Sequence, residues 1–334
     1  MKVAFFDIKP EEKKYFEKNL NSDFEAFYFS NSLTCSVEIT DEIKTVEIIS
    51  CFIDSMISKK VLDKFPNLKF IILRSVGYSH VDLLCAKERG IVVFNAPHYG
   101  DYSISEYVFA LLFSVSRKII KASEDVKKQQ IIDTKYQGIE FFNKTMGIIG
   151  LGAIGKKVAE VANALSLKTL CYDIKKEGDY NFVSLDELCE KSDIISINCP
   201  LTSETLHMFD ENRFNNLKDG VILINTARGE IIHTEALYNA LLSKKVSYFA
   251  SDVVECENVF YEDRENKIDI KTIKENCLKN FYITRKLLTM ENVLITPHIA
   301  YNTKEAQNRI LEITMDNLIA STKFTNSAKN LVLV

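Results

Sequence analysis

The chain has no long apolar run, no CxxC pair, no excess of basic residues and no internal repeat or low-complexity tract. Its longest uninterrupted apolar stretch, Tyr107 to Phe113, falls far short of the roughly 20 residues that span a bilayer, so no membrane partner is expected. The N-terminal run Met1-Lys2-Val3-Ala4-Phe5-Phe6 meets Asp7 at once and is too short for a signal peptide, which points to the cytoplasm. The eight cysteines (35, 51, 85, 171, 189, 199, 256, 277) form no cluster with histidine at ligand spacing. No metal is therefore expected, and free thiols in a reducing compartment are the expectation. A net charge of −4 gives little attraction for nucleic acid or an acidic lipid surface.

What is present is an ordinary globular composition, 46% hydrophobic and 26% charged, over 334 residues, enough for two domains with cores of their own. Residues 2–8, 24–29, 48–53, 69–74 and 91–94 read as short strands with helical segments between most of them. Ser103 to Ile120 reads as one long helix, apolar nearly all round from Tyr107 to Val115 and so buried on more than one side. Further strands are expected at 193–197, 221–224, 247–253 and 292–296, again alternating with helices. Such alternation means an α/β chain with parallel, doubly wound sheets. Residues 255–290 read as a charged surface insertion closed by a short helix, and Lys304 to Ile319 as a terminal helix.

The most informative stretch is Thr145 to Gly155. An apolar strand runs into Gly150, Gly152 and Gly155 at G-x-G-x-x-G spacing. An amphipathic helix follows (Val158, Val161, Ala162, Leu165), then a second strand, Lys168 to Tyr172, that ends in Asp173. Gly150 permits a tight turn, Gly152 lets backbone approach a pyrophosphate, and Gly155 with Ala159 lets helix and strand pack closely. The helix N-terminus then offers free N–H groups and a positive dipole end. Asp173, at about the expected 20-residue offset, can accept hydrogen bonds from both ribose hydroxyls and would repel a 2′-phosphate. NAD is therefore expected over NADP, although Lys175 and Lys176 follow closely.

In an open parallel sheet, ligands bind outside the carboxyl ends of the strands. Past the strand at 221–224 stands Arg228, past 247–251 stand Asp252 and Glu257, and past 292–295 stands His298. A 2-keto acid facing a reduced nicotinamide needs a planar bidentate cation for its carboxylate and carbonyl, which Arg supplies. The developing alkoxide needs a proton, which His can give, and a carboxylate can fix the His tautomer. Each residue alone has a bland reading, as a salt bridge, a solvated acid or a satisfied core histidine; it is their convergence that suggests catalysis. His80 and His98 fall in loops and His233 near a helix start, whereas His207 either contacts cofactor or supports the site.

These residues together resemble the NAD-dependent D-2-hydroxyacid dehydrogenases. The resemblance rests on Arg228 in Asn-Thr-Ala-Arg-Gly-Glu, Glu257 beyond Asp252, and His298 in Thr-Pro-His-Ile-Ala. It extends to Arg74 through Asp82, Gly90 to Val93 and Cys199 to Thr205, and so to nearly the whole chain. Within the family it is most similar to the D-lactate dehydrogenase branch. The resemblance implies Arg228, Glu257 and His298 as catalytic residues, with the backbone of Val76 and Gly77, and Tyr99, also at the substrate. It implies Gly150, Gly152, Ala153, Ile154, Gly155, Asp173, Cys199, Pro200, Thr205, Thr226 and Asp252 at the cofactor. It further implies a flavodoxin-like substrate domain split between residues 1–99 and 299–334, a Rossmann-type NAD domain at 100–298 inserted into it, closure of the two, and a homodimer. Val254, the missing proline after Glu257, Gly100-Asp101 and His233 depart from the usual pattern and loosen the inference about the substrate side chain. The reaction implied is reduction of pyruvate to D-lactate. The alternatives are a larger or phosphorylated 2-keto acid, a formate branch that carries glutamine at the Glu257 position, and an NAD-sensing corepressor that keeps the triad.

Overall fold

A computed structural model of the chain describes every residue except 132, 258, 260–272, 324–328 and 333–334. The chain forms two compact units, Met1–Gly100 with Asn302–Val334, and Asp101–Tyr301.

The first unit holds a parallel sheet of β1 (Lys2–Phe5), β2 (Glu25–Tyr28), β3 (Ile48–Cys51), β4 (Phe70–Leu73) and β5 (Val92–Phe94), in the order β2-β1-β3-β4-β5. Its inner strands are apolar at nearly every position because both faces are covered. Alternate side chains feed two cores. Ile49, Ile71, Leu73 and Val93 point to one, and Ile48, Phe70, Ile72 and Phe94 to the other. The helix Lys304–Thr322 joins this unit by placing Leu311 and Leu318 in the second core. Val332 N–H donating to Val93 O at 2.9 Å ties the chain end to β5.

The second unit holds β6 (Thr145–Ile149), β7 (Lys168–Tyr172), β8 (Ile194–Ile197), β9 (Val221–Asn225), β10 (Val246–Ser251) and β11 (Val293–Ile295), all parallel, in the order β11-β10-β9-β8-β6-β7. A single parallel bridge, Cys171 to Phe182, extends the sheet beyond β7. The chain winds one way from β6 to β7 and the other way from β8 onward. The topological switch point therefore lies between β6 and β8, where such sheets bind ligands.

The long helix expected over Ser103–Ile120 is in fact two. Helix Asp101–Ser116 ends, Lys118 takes a left-handed φ of +50°, and helix Ile119–Lys127 begins. The apolar pattern continues past the break, but the Ser116 carbonyl accepts a hydrogen bond from Ile139 N–H at 3.1 Å and so is engaged from outside the helix. The segment 255–290 ends in a helix of 13 residues, Glu275–Leu287, longer than the short one expected, and the rest of the expected insertion lies largely outside the described residues. The expectation that all cysteines are free fails at one pair, since Cys256 and Cys277 are joined by a disulfide. They stand 21 residues apart in sequence, and no spacing motif marks such a pair. Among the described residues no helix is long and apolar enough to cross a membrane.

Candidate active site

The glycine turn is built by close approach. Gly150 directly follows β6 with φ +88°, and a Cβ there would lie 2.6 Å from Cys199 N and 2.7 Å from Asn198 C, in the backbone leaving β8. A Cβ on Gly155 would lie 2.0 Å from Gly150 O, so the helix that starts at Ala153 rests directly on the turn. At Gly152 a Cβ would meet nothing within 4 Å. Gly152 is also the N-cap of helix Ala153–Ala164 and has no side chain to satisfy the first amides. Open space in front of uncapped amides at a positive helix end is what a pyrophosphate requires.

Asp173 is fastened to the same turn. Its Oδ2 accepts from Leu151 N–H at 2.6 Å and its Oδ1 from Lys175 N–H at 2.8 Å, which leaves each oxygen a lone pair for a ribose hydroxyl. Lys175 and Lys176 are exposed. Across the switch point, burial pushes the Cys199 thiol up to about 11, so it stays neutral. Thr205 spends its hydroxyl on its own loop, donating to Pro200 O at 2.7 Å and accepting from Thr202 N–H at 2.7 Å. At the end of β9, Thr226 Oγ1 is buried without a hydrogen-bond partner among the described residues. That orphaned hydroxyl, the open Gly152 cradle and the anchored acid together fit a dinucleotide.

The strand ends of β9, β10 and β11 carry the expected triad. The Asn225 side chain folds the first loop, its Nδ2 donating to Arg228 O at 2.9 Å and its Oδ1 accepting from Ala227 N–H at 3.0 Å. Gly229 lets that loop press against the next: a Cβ there would fall 2.0 Å from Val254 C. Asp252, 1% exposed, shapes the loop after β11. Its carboxylate accepts from Thr296 Oγ1 at 2.6 Å, Ile299 N–H at 2.9 Å and Ala300 N–H at 2.7 Å. Its own carbonyl accepts from His298 N–H at 2.9 Å, and His298 takes a left-handed φ of +52°. Burial pushes the Asp252 carboxyl up, and the hydrogen bonds from Thr296, Ile299 and Ala300 oppose that shift. Asp252, expected beside the nicotinamide, also braces the histidine loop.

His298 Nδ1 meets Glu257 Oε2 at 3.0 Å. A carboxylate accepts, so the Nδ1 carries the hydrogen and Nε2 is the nitrogen turned to other work. The second Glu257 oxygen is buried and has no hydrogen-bond partner among the described residues. Arg228 belongs to the same electrostatic neighbourhood. Burial first, then the charges of Glu257 and Glu255, push the Glu230 carboxyl up, while Arg228 opposes them.

Sequence reading missed Glu255. Its Oε1 lies 2.8 Å from His207 Nε2, and its Oε2 accepts from Thr234 Oγ1 at 2.7 Å and Thr234 N–H at 3.2 Å. A second histidine–glutamate pair therefore stands on the same loop as the first. Its ring packs edge-to-face on His233 at 5.0 Å. His233 caps helix Thr234–Leu242 by accepting from Ala236 N–H. The signal was the spacing Glu255-x-Glu257, but nothing local shows which histidine each acid would meet.

Val76, Gly77 and Tyr99 lie in the first unit. Asn95 Nδ2 donates to Val76 O at 2.8 Å and Ser75 Oγ to Gly77 O at 2.7 Å, which fixes both peptide planes. Val76 is 46% exposed and Tyr99 only 7% exposed, with the Tyr99 carbonyl holding Arg309 Nε at 2.8 Å.

Known proteins resemble the chain over most of its length. Residues 109–300 match the family described as D-isomer specific 2-hydroxyacid dehydrogenase, NAD binding domain. The chain is 31% identical to D-lactate dehydrogenase of Escherichia coli over 95% of this chain and 96% of that one. It is 35% identical to glyoxylate reductase of Thermofilum pendens over 86% and 81%. The structure of D-lactate dehydrogenase from Aquifex aeolicus, complexed with NAD and lactic acid, superposes with a TM-score of 0.87 at 34% identity, covering 99% of both chains.

Proposed function

Since the chain belongs to the D-isomer-specific 2-hydroxyacid dehydrogenases and carries their NAD-binding domain, we propose that it interconverts pyruvate and D-lactate. The observation that carries this reading is the His298 Nδ1–Glu257 Oε2 contact of 3.0 Å at the strand ends of the dinucleotide sheet. Bound NADH supplies the hydride. Arg228 binds the keto-acid carboxylate and polarises the carbonyl oxygen. His298 gives its Nε2 proton to the oxygen as negative charge develops there, and Glu257 holds the resulting neutral ring in the correct tautomer. In the reverse direction the same nitrogen takes the hydroxyl proton. Gly152, Ala153, Ile154 and Gly155 would hold the pyrophosphate, Asp173 the ribose, and Thr226 the polar edge of the nicotinamide. Val76, Gly77 and Tyr99 are assigned to the substrate.

Lactate is favoured because a solved relative named for it matches over the full chain. The test follows NADH absorbance with pyruvate, phenylpyruvate, 2-ketoisocaproate, hydroxypyruvate, glyoxylate and 3-phosphohydroxypyruvate. The expected outcome is the highest kcat/KM with pyruvate and D-lactate as the product on a chiral column. Preference for another keto acid would keep the mechanism and overturn the substrate. NADH binding with no turnover on any would overturn the enzyme and favour a sensor.

The proposal includes a cytoplasmic homodimer. Ile119, Ile120, Val126 and Phe142 of the second unit are large apolar side chains left in solvent, the kind of surface a second copy covers. Light scattering on the eluted protein should give twice the 38.2 kDa chain mass.

A further inference from the structure

Cys256 and Cys277 are bonded with their Cα atoms 5.5 Å apart. Cys256 stands between the two carboxylates of the β10 loop, Glu255 that meets His207 and Glu257 that meets His298. Cys277 lies in the first turn of helix Glu275–Leu287. That helix is fixed to the second unit by Leu287 in its core and by an ion pair of 2.6 Å from Lys279 to Glu235. The bond therefore ties the loop bearing Glu257 to a firmly packed element.

The loop has reason to need a tie. Cys256 has φ +57°, a region that side-chain-bearing residues seldom enter. Glu257 is held through its bond to His298, and its other oxygen has no partner among the described residues. Both bonded cysteines are half-buried rather than enclosed in a core. Most other thiols are not comparable. Cys51, Cys85, Cys171 and Cys189 are buried. Burial pushes Cys51 up to about 12 and Cys171, Cys189 and Cys199 up to about 11, so they remain inert thiols. Cys35 is exposed.

We propose that Cys256 and Cys277 form a reversible thiol–disulfide site that sets turnover: the bonded state holds Glu257 against His298, and the dithiol state releases it. The proposal rests on His298 and Glu257 being the acid–base pair. The exchange partner is a glutathione-type disulfide. One protein thiolate attacks it to give a mixed disulfide and one glutathione thiolate. The second protein thiolate displaces the other glutathione. Overall two protein thiols are oxidised to one disulfide and one glutathione disulfide is reduced to two thiols, which take up the two protons.

The test equilibrates the full-length protein in glutathione buffers from fully reduced to fully oxidised. Alkylation and peptide mass analysis then read the state of the pair. In parallel, kcat and KM are measured with pyruvate, and NADH affinity by fluorescence. The bonded fraction and kcat should rise together by about tenfold, a modest part of the roughly 100-fold that misplacing a catalytic group by 1 Å produces. NADH affinity should stay constant. Cys277→Ser should remain at the reduced enzyme's kcat in every buffer, and Cys35→Ser should follow the wild type. A pair that stays dithiol throughout, or equal kcat in both states, overturns the proposal. If the pair oxidises but no keto acid is turned over in either state, the acid–base reading has failed and the coupling falls with it.

Discussion

Arg74 and Arg228 both follow a strand of a parallel sheet, and they have opposite fates. Arg74, directly after β4, is fully buried. Its Nη2 donates to Phe6 O at 2.6 Å and Asp7 O at 3.0 Å, its Nη1 to Ser50 Oγ at 3.2 Å, and Glu12 stands 3.9 Å away. Its two terminal nitrogens knit β1, β3 and β4 together, while the buried Nε has no hydrogen-bond partner among the described residues. Arg228, after β9, is half-buried and makes one internal side-chain bond among the described residues, Nη1 to Ala227 O at 2.7 Å. We propose that the rest of its fork takes the substrate carboxylate. Position at a strand end is common to both; they differ in how many bonds their terminal nitrogens make from within, three in Arg74 and one in Arg228 among the described residues, and on that difference we propose a structural role for the first and a binding role for the second.

The sharpest way to break this comparison is to remove each side chain. Arg228→Ala should lower kcat/KM for the keto acid by roughly 100- to 1,000-fold, about 3–4 kcal/mol, with an unchanged thermal midpoint. Near-native kcat/KM would remove Arg228 from the mechanism. Arg74→Ala should do the reverse, destabilising by about 3 kcal/mol in urea titration because the carbonyls of Phe6 and Asp7 lose a buried charged donor. A stable variant would show that the buried arginine is dispensable.

A finer contrast lies between the two histidine–glutamate pairs. Glu257→Gln should reduce kcat by up to about 100-fold, since an amide no longer fixes the His298 tautomer or stabilises its charged form. Glu255→Gln should reduce it far less, since that acid holds His207 and Thr234. Equal losses would merge the two pairs into one functional unit. The smallest effect is expected at Glu230. Its carboxyl is pushed up by burial and by the charges of Glu257 and Glu255, so the folded state favours the proton. That contribution is present below the ordinary carboxylate range and is lost as pH rises through the raised value. Glu230→Gln should therefore be slightly more stable than wild type at neutral pH, by less than about 1 kcal/mol, and no more stable near pH 4. Urea midpoints at the two pH values decide this.

How much was legible follows from what is local. The strands of both sheets fell close to their expected places because buried parallel strands are short, continuous apolar runs between breakers. The helix ending at Ser116 was not legible. Its apolar pattern runs on to Ile120, and what stops it is Ile139, far along the chain, taking the Ser116 carbonyl. Arg228, Glu257 and His298 were legible as residue types at strand ends. The partnership of Glu255 with His207 and the bond between Cys256 and Cys277 were not, because those residues meet only across loops from different parts of the chain.

The sequence by itself determined the dinucleotide half of this protein. Strand, glycine turn, helix, strand and acid follow one another from Thr145 to Asp173, and each step is a constraint on a short piece of backbone: a positive φ, a missing Cβ, an uncapped helix end. The tertiary structure alone decided which acid serves which histidine, which arginine is fully buried and which cysteines are joined. Those outcomes depend on the order in which the strands lie side by side, and so on which loops are brought within a hydrogen bond's length of one another.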